Sequence, residues 1–363
     1  MRIPLAWRKV DLTLVSLVMA LLAIGLVLVY SAVHHSPSLG HLVWKQCGLG
    51  LLGLAAMWFF YTIDYKGLLQ MAYPLYGLLL LALALVLAVG SQSRGSSRWF
   101  DLGLLHFQPS EMAKLVVILA LARWLTDHAR DASKLRGMVV PLGLALVPMA
   151  LIIRQPDLGS AMTLLPVAFV MLWVAGARLW HLLTVIFLGL ASTPLAWLMM
   201  KDYQRRRLLT FLDPEADTLG AGYNLIQSKI AIGSGGLAGR GFLQGPQSQL
   251  KFIPMHHNDF IFSVLGEEWG LLGVTVVLVL YLFFFLRAFS IASQARDQQG
   301  SLLASGITTL VATQVVINIG MTTGMLPVTG ITLPLLSYGG SSVLLIMICA
   351  GILLNVRRDS RPQ

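Results

Sequence analysis

The stretch "DLTLVSLVMALLAIGLVLVYSAV", Asp11 to Val33, decides the fold. After Asp11 it carries no charged side chain, and it exceeds the ~20 residues that a helix needs to cross the hydrocarbon core of a bilayer. Working outward, apolar runs of this kind recur to the far end of the chain. Ten candidate spans fall at roughly 11–33, 42–62, 71–90, 109–126, 138–153, 159–176, 180–200, 260–286, 302–323 and 339–356. The whole composition agrees: 56% of residues are hydrophobic and 12% charged, against about 25% charged in a soluble domain. The expected fold is therefore all-α, a polytopic integral membrane protein of about ten transmembrane helices in a single domain over 1–363. The first run follows "MRIPLAWRK" and ends in no small-residue cleavage pattern, so Met1 is expected to stay attached as part of an anchor.

Lys and Arg in the short loops set the orientation. Fourteen of them, from Arg2 and Lys66 to Arg287, Arg296, Arg357 and Arg358, fall on one side, and five, among them Lys45 and Arg154, on the other. The richer side is expected to be the cytoplasm, with both termini there. The net charge of +10 then reflects this bias, which makes anionic membrane lipid a better partner for it than nucleic acid. Cys47 and Cys349 both lie within candidate spans and provide neither a disulfide framework nor metal-ligand spacing.

The longest break between spans, 201–259, follows the seventh and so is expected to form a large loop on the outer side. It opens with Arg205, Arg206 and Arg207 on a short amphipathic segment. Interfacial anchoring to lipid phosphates and bidentate recognition of a phosphorylated substrate both fit that triplet. The glycine-rich "QSKIAIGSGGLAGRGFLQGPQ" ends in Gly239-Arg240-Gly241 without the Lys-Ser or Lys-Thr of a phosphate loop and with no βαβ unit around it. Conformational freedom for a re-entrant or surface loop is the expected use.

Polar groups that a lipid-facing helix would not tolerate cluster elsewhere. "QPSEMAK" places Ser110 as a helix N-cap and sets Glu111 and Lys114 three residues apart on one face, as an ion pair or as functional charges. In "RQPDLGS", Arg154 and Asp157 are close enough to pair across a turn. Gln314 and Asn318, four apart, suit hydrogen bonding between helices. "FIPMHHNDFIFSVLGEEWG", Phe252 to Gly270, puts Asn258-Asp259 where a helix N-cap or a reactive carboxylate would stand. Asp259, Ser263, Gly266 and Gly270 share one helical side suited to a cavity or a close helix, whereas Glu268 points away and needs a partner. His256 and His257 lack zinc-like spacing with any further ligand. A hard divalent cation, magnesium or manganese, held through Asp259 and substrate phosphates stays open, and no organic cofactor is expected.

These blocks, with "NIGMTTGMLPVTGITLPLLSYGGSS" near the end, resemble the SEDS family of bacterial cell-wall polymerases (shape, elongation, division and sporulation) over nearly the whole chain. The wording "SSRWFDLG", "RRRLLTFLDPEAD" and "SQLKFIP" is similar to its elongation and cell-shape branch. The resemblance implies a peptidoglycan glycosyltransferase of the bacterial inner membrane. Such an enzyme joins lipid II into β-1,4 glycan at the periplasmic face, alongside a class B penicillin-binding protein and other elongation-complex membrane proteins. It implies that Asp259 is catalytic and that Glu111 and Lys114 form an important charged pair. Arg98, Arg205, His257 and Ser263 complete the expected substrate-binding set. Relatives read Pro-Glu, one residue, then His-Thr-Asp-Phe, so Met255 stands where they carry glutamate. A lipid II flippase and a noncatalytic scaffold for the penicillin-binding protein are the competing readings.

Overall fold

The computed structural model describes residues 10–35, 39–89, 91–93, 96–101, 106–129, 134–217, 220–250, 252–253 and 257–360. Met1, Arg2, Met255 and His256 lie outside the described residues. The chain is helical almost throughout: α1 (Leu12–Val33), α2 (His41–Thr62), α3 (Tyr65–Gln70), α4 (Ala72–Val89), α5 (Pro109–Asp127), α6 (Val139–Arg154), α7 (Leu158–Val174), α8 (Leu179–Ala191) and α9 (Thr193–Met199) come first. Then follow α10 (Asp202–Leu212), α11 (Ala221–Ser234), α12 (Pro246–Gln249), α13 (Ile261–Ser293), α14 (Gln298–Thr323) and α15 (Gly340–Ser360). Between α4 and α5 lies a small antiparallel sheet of β1 (Ser91–Ser93), β2 (Ser96–Asp101) and β3 (His106–Phe107) in that order.

Each of the ten apolar runs falls on helix. Six helical segments are long and apolar enough to cross a membrane: Leu12–Val33, His41–Thr62, Leu135–Arg154, Ile261–Ser293, Gln298–Thr323 and Gly340–Ser360. Shorter apolar helices occupy Ala72–Ala88, Leu158–Val174 and Leu179–Leu195, and α5 covers the remaining run. The run at 180–200 is two helices meeting at Ser192, where α9 restarts with Pro194 in its first turn.

The region 201–259 is not a detached surface loop, because α11 packs on α13 and α14. The reason lies in a break at Gly270, whose φ of 63° and ψ of −162° interrupt α13. A break within a transmembrane helix leaves backbone groups that hydrocarbon cannot satisfy. The glycine-rich segment after α11 supplies them. Leu271 and Leu272 donate their N–H groups to the carbonyls of Gly236 and Leu237, at 2.9 and 3.0 Å, while Arg240 and Gly241 donate to the carbonyls of Glu267 and Glu268, at 2.9 and 3.1 Å. Backbone can come this close only without side chains: a Cβ on Gly235 would lie 1.9 Å from the Gly266 carbonyl oxygen, and one on Gly239 2.1 Å from that of Glu268. The glycines thus serve a backbone plug in α13, which is why no phosphate-loop pattern accompanies them.

A second irregular segment, between α14 and α15, is also buried in protein. Leu335 and Leu336 pack where Gly25 leaves α1 bare, since a Cβ there would stand 2.2 Å from the Leu335 oxygen. The Tyr281 hydroxyl of α13 donates to the Pro334 carbonyl at 2.5 Å.

The end of the bundle where α15 finishes is tied by charge. Asp11 caps α1 through the Leu14 N–H at 3.1 Å and is held by Arg287 at 2.9 Å, with Arg357 at 3.6 Å. Asp297 caps α14 through the Gly300 N–H at 2.8 Å, accepts from the Tyr65 hydroxyl at 3.0 Å and pairs with Lys66 at 3.2 Å. Partial burial raises the Asp297 pKa, but these hydrogen bonds and the Lys66 charge outweigh it and hold the carboxyl below the usual value. Its stabilisation is therefore present above the unfolded carboxylate pKa and is lost as pH falls through the lower folded value.

Two outcomes follow. In detergent, Gly239→Ala and Gly270→Ala should each lower the thermal midpoint sharply, since both residues have positive φ and backbone against them and such conformations cost about 1–3 kcal/mol for other residues. Gly233→Ala, with open space at its Cβ position, should not. Asp297→Asn should cost about 1 kcal/mol at neutral pH and flatten the loss of thermal stability that the native chain shows below about pH 4.

Candidate functional site

Asp259 lies in a turn just before α13, half-buried. It is not the helix cap: the N-cap is Phe260, without a side-chain cap bond. The turn is held from two directions. The Tyr338 N–H donates to the His257 carbonyl at 2.9 Å, and the rings of these residues meet edge to face at 6.0 Å between centroids. The Asn318 amide of α14 donates to the Asp259 carbonyl at 2.9 Å and to the Ile331 carbonyl at 2.6 Å. Gly330 adjoins the carboxylate, where an added Cβ would lie 3.4 Å from Oδ2. Asn318 therefore joins segments as expected of a polar residue in a span, whereas Gln314 is buried and its amide finds no hydrogen-bond partner among the described residues.

A second group assembles at the starts of α5 and α7. Ser110 was expected as an N-cap, but Gln108 takes that position, and the Ser110 hydroxyl donates instead to Asp157 at 2.9 Å. Asp157 caps α7 through the Ser160 N–H at 3.2 Å and accepts from Gln108 at 3.0 Å. Arg154 is exposed, and among the described residues no ion pair joins it to Asp157. One residue into α7, Gly159 lies against the Thr329 oxygen and Ile331, so this group abuts the segment that carries Gly330. Glu111 and Lys114 pair at 2.5 Å with side chains 10% and 1% exposed. Two charges so buried must neutralise each other.

Several expected site residues are committed elsewhere. Ser263 is fully buried, and its hydroxyl is 2.6 Å from that of Ser228, which donates to the Thr322 carbonyl at 2.6 Å. Its helical side faces α11 and the segment after it, since Gly266 lies against Ile232 and Gly270 against the backbone of Leu237 to Gly239. Arg205 donates to the carbonyls of Trp197 and Leu198, at 3.2 and 3.0 Å, at the end of α9. Arg98 lies on β2, and its side chain is outside the described residues. Glu268 finds the partner that its direction required: the Ser31 hydroxyl of α1 at 2.6 Å, with the Gln249 amide at 2.9 Å. Glu267 accepts the N–H groups of Gln247 and Ser248, at 2.7 and 2.9 Å. Both glutamates are thus anchors for the plug around α12.

Among the described residues no group of three or more His, Cys, Asp or Glu side chains could hold a metal ion. The donor set suits only an ion that takes Asp259 as a single protein carboxylate and its remaining ligands from water and substrate, as magnesium commonly does.

Comparison with known proteins agrees over the whole length. The family model described as cell cycle protein, FtsW/RodA/SpoVE, matches residues 12–362. The peptidoglycan glycosyltransferase MrdB of Escherichia coli (strain K12) is 40% identical over 354 residues, covering 96% of this chain and 94% of that one. Stage V sporulation protein E of Bacillus subtilis (strain 168) is 38% identical over 372 residues, covering 97% and 98%. A chain of a peptidoglycan synthase complex that coordinates polymerization and crosslinking superposes with a TM-score of 0.85 at 38% identity, covering 98% of this chain and 99% of that one. The rod shape determining protein RodA of Thermus thermophilus does so at 0.73 and 35%, with the same coverage.

The buried pair gives a test of stability. Lys114→Met alone should destabilise the protein by about 3 kcal/mol by leaving the Glu111 charge uncompensated. Adding Glu111→Gln should restore most of the thermal midpoint, read by unfolding in detergent.

Proposed function

The chain belongs to the FtsW/RodA/SpoVE family of cell cycle proteins, and on that premise we propose that it is a peptidoglycan glycosyltransferase in which Asp259 is the general base. It is a multi-pass membrane protein, and its relatives carry the same named activity. The substrate of the proposal is lipid II, whose sugar is α-linked to a pyrophosphate. Because the glycan is β-linked, one inverting displacement is sufficient. Asp259 accepts the proton of the acceptor GlcNAc 4-hydroxyl as that oxygen attacks the donor's anomeric carbon, and the undecaprenyl pyrophosphate leaves.

The observation that carries this reading is the mounting of Asp259. Its backbone is fixed by Asn318, the neighbouring His257 by Tyr338, and its half-buried carboxylate stands beside a glycine. A general base needs such a fixed position. Lys114 is sealed against Glu111, so it offers no free charge to the departing pyrophosphate. A divalent cation, magnesium or manganese, held by Asp259 and the substrate's own phosphates would supply it.

The lysine and arginine bias supports a reading with the Asp11, Arg287 and Arg357 end and both termini in the cytoplasm, the Asp259 end in the periplasm and about ten helices crossing between. Segment 201–259 then belongs to the periplasmic side. The likeness to a chain of a peptidoglycan synthase complex supports a penicillin-binding protein of class B as partner. The similarity to RodA supports a role in elongation and rod shape. A flippase would want polar groups spread through the bilayer depth, whereas the site residues gather at one end.

The test uses purified protein with its partner, labelled lipid II, magnesium or manganese, and moenomycin to silence contaminating glycosyltransferases. Asp259→Ala should cut polymerisation by at least about 100-fold while the thermal midpoint stays near that of the native chain. Full-length glycan from the variant would defeat the base assignment. Transport without polymer by the native protein would favour the flippase.

A further inference from the structure

Gln46 lies within the apolar helix α2 and is completely buried. A polar side chain in a membrane span calls for a partner, and Gln46 has two on one segment. Its Nε2 donates to the Ser337 carbonyl at 3.2 Å, and its Oε1 accepts the longer 3.5 Å bond from the Gly339 N–H. The amide therefore straddles Tyr338. That residue's N–H reaches the His257 carbonyl at 2.9 Å and its ring meets the His257 ring. His257 is two residues from Asp259 in the same turn.

We propose that Gln46 is a positioning residue for the reaction, holding Ser337-Tyr338-Gly339 so that Tyr338 fixes the His257 side of the Asp259 turn. Asn318 holds the other side by its bond to the Asp259 carbonyl. The rest of the segment has its own fastenings: the Leu333 N–H on the Ser337 hydroxyl at 2.8 Å, the Tyr281 hydroxyl on Pro334, and the bare surface of Gly25. Loss of Gln46 therefore loosens the Tyr338 contact locally and leaves the packed part of the segment in place. A shift of the base by a fraction of an ångström acts on the transition state more than on substrate binding. The effect belongs in kcat.

This proposal rests on Asp259 as the base, and its test distinguishes the two. Full-length protein with its partner in nanodiscs would be assayed as Gln46→Leu, Gln46→Glu and Asp259→Ala, with kcat and KM for lipid II, thermal midpoint and backbone amide exchange recorded. Gln46→Leu should lower kcat at least about tenfold with KM within about twofold. Amide exchange should speed up at 337–339 and 257–260 and stay unchanged in α13. Gln46→Glu, kept neutral by burial and so still able to donate and accept, should retain more of kcat than Gln46→Leu. An unchanged kcat in Gln46→Leu, a loss no smaller in Gln46→Glu, or faster exchange throughout the bundle would each overturn the positioning role. Polymer from Asp259→Ala would overturn the base assignment instead, and the exchange at 257–260 would still report whether Gln46 holds the turn.

Discussion

The exchange of backbone hydrogen bonds across the break at Gly270 is the constraint on which the rest of this structure depends. A helix interrupted inside a membrane exposes carbonyl and N–H groups that lipid cannot satisfy, and here the segment around Gly236 to Gly241 satisfies four of them. The plug must therefore sit in the bundle, and the chain on either side of it must come along. That draws α11 onto α13 and α14, sets Ser228 against Ser263, and brings α12 to where Glu267 can accept its N–H groups. Glu268, next along, reaches Ser31 and Gln249. The plug is thus fastened by backbone on one side and by two buried carboxylates on the other.

The same economy governs the Asp259 turn. It carries little regular structure of its own, yet its carbonyls are taken by Asn318 from α14 and by Tyr338 from the segment before α15. That segment is itself held by α1, α2 and α13 through Gly25, Gln46 and Tyr281. A carboxylate on a flexible loop would lose alignment with each fluctuation; the proposed base, on a turn fixed by helices from four parts of the chain, keeps it. The half-buried carboxylate adjoins Gly330, where a Cβ would stand 3.4 Å from Oδ2.

The positions of the helices and the residues of interest were legible because both are local properties. Apolar runs of the right length report a helix in lipid, and polar groups inside them stand out against that background. Asp259, Glu111, Lys114 and Asn318 were found in this way. The errors concern direction and partner. Ser110 reads as a cap because it precedes an apolar run, but Gln108 begins the helix and frees the serine for Asp157. Arg205 reads as a phosphate ligand because it belongs to a basic triplet, and its guanidinium also meets the carbonyls of Trp197 and Leu198 at the end of α9. Gln46 gave only the weak signal of one amide in an apolar helix, and its meaning depends on a segment nearly three hundred residues away.

What the sequence by itself determined is a helical membrane protein, the approximate helix limits and the carboxylate proposed as the base. Hydrophobicity, charge bias and residue type act within a window of some twenty residues and need no knowledge of the fold. Only the tertiary structure decided which polar groups are sealed in pairs and with which partners. Glu268 with Ser31, Ser263 with Ser228 and Gln46 with Ser337 join residues distant in the chain. Burial makes an unpaired polar group costly, so each such residue takes whatever donor or acceptor the packing brings within reach, and spacing along the chain carries no record of that choice.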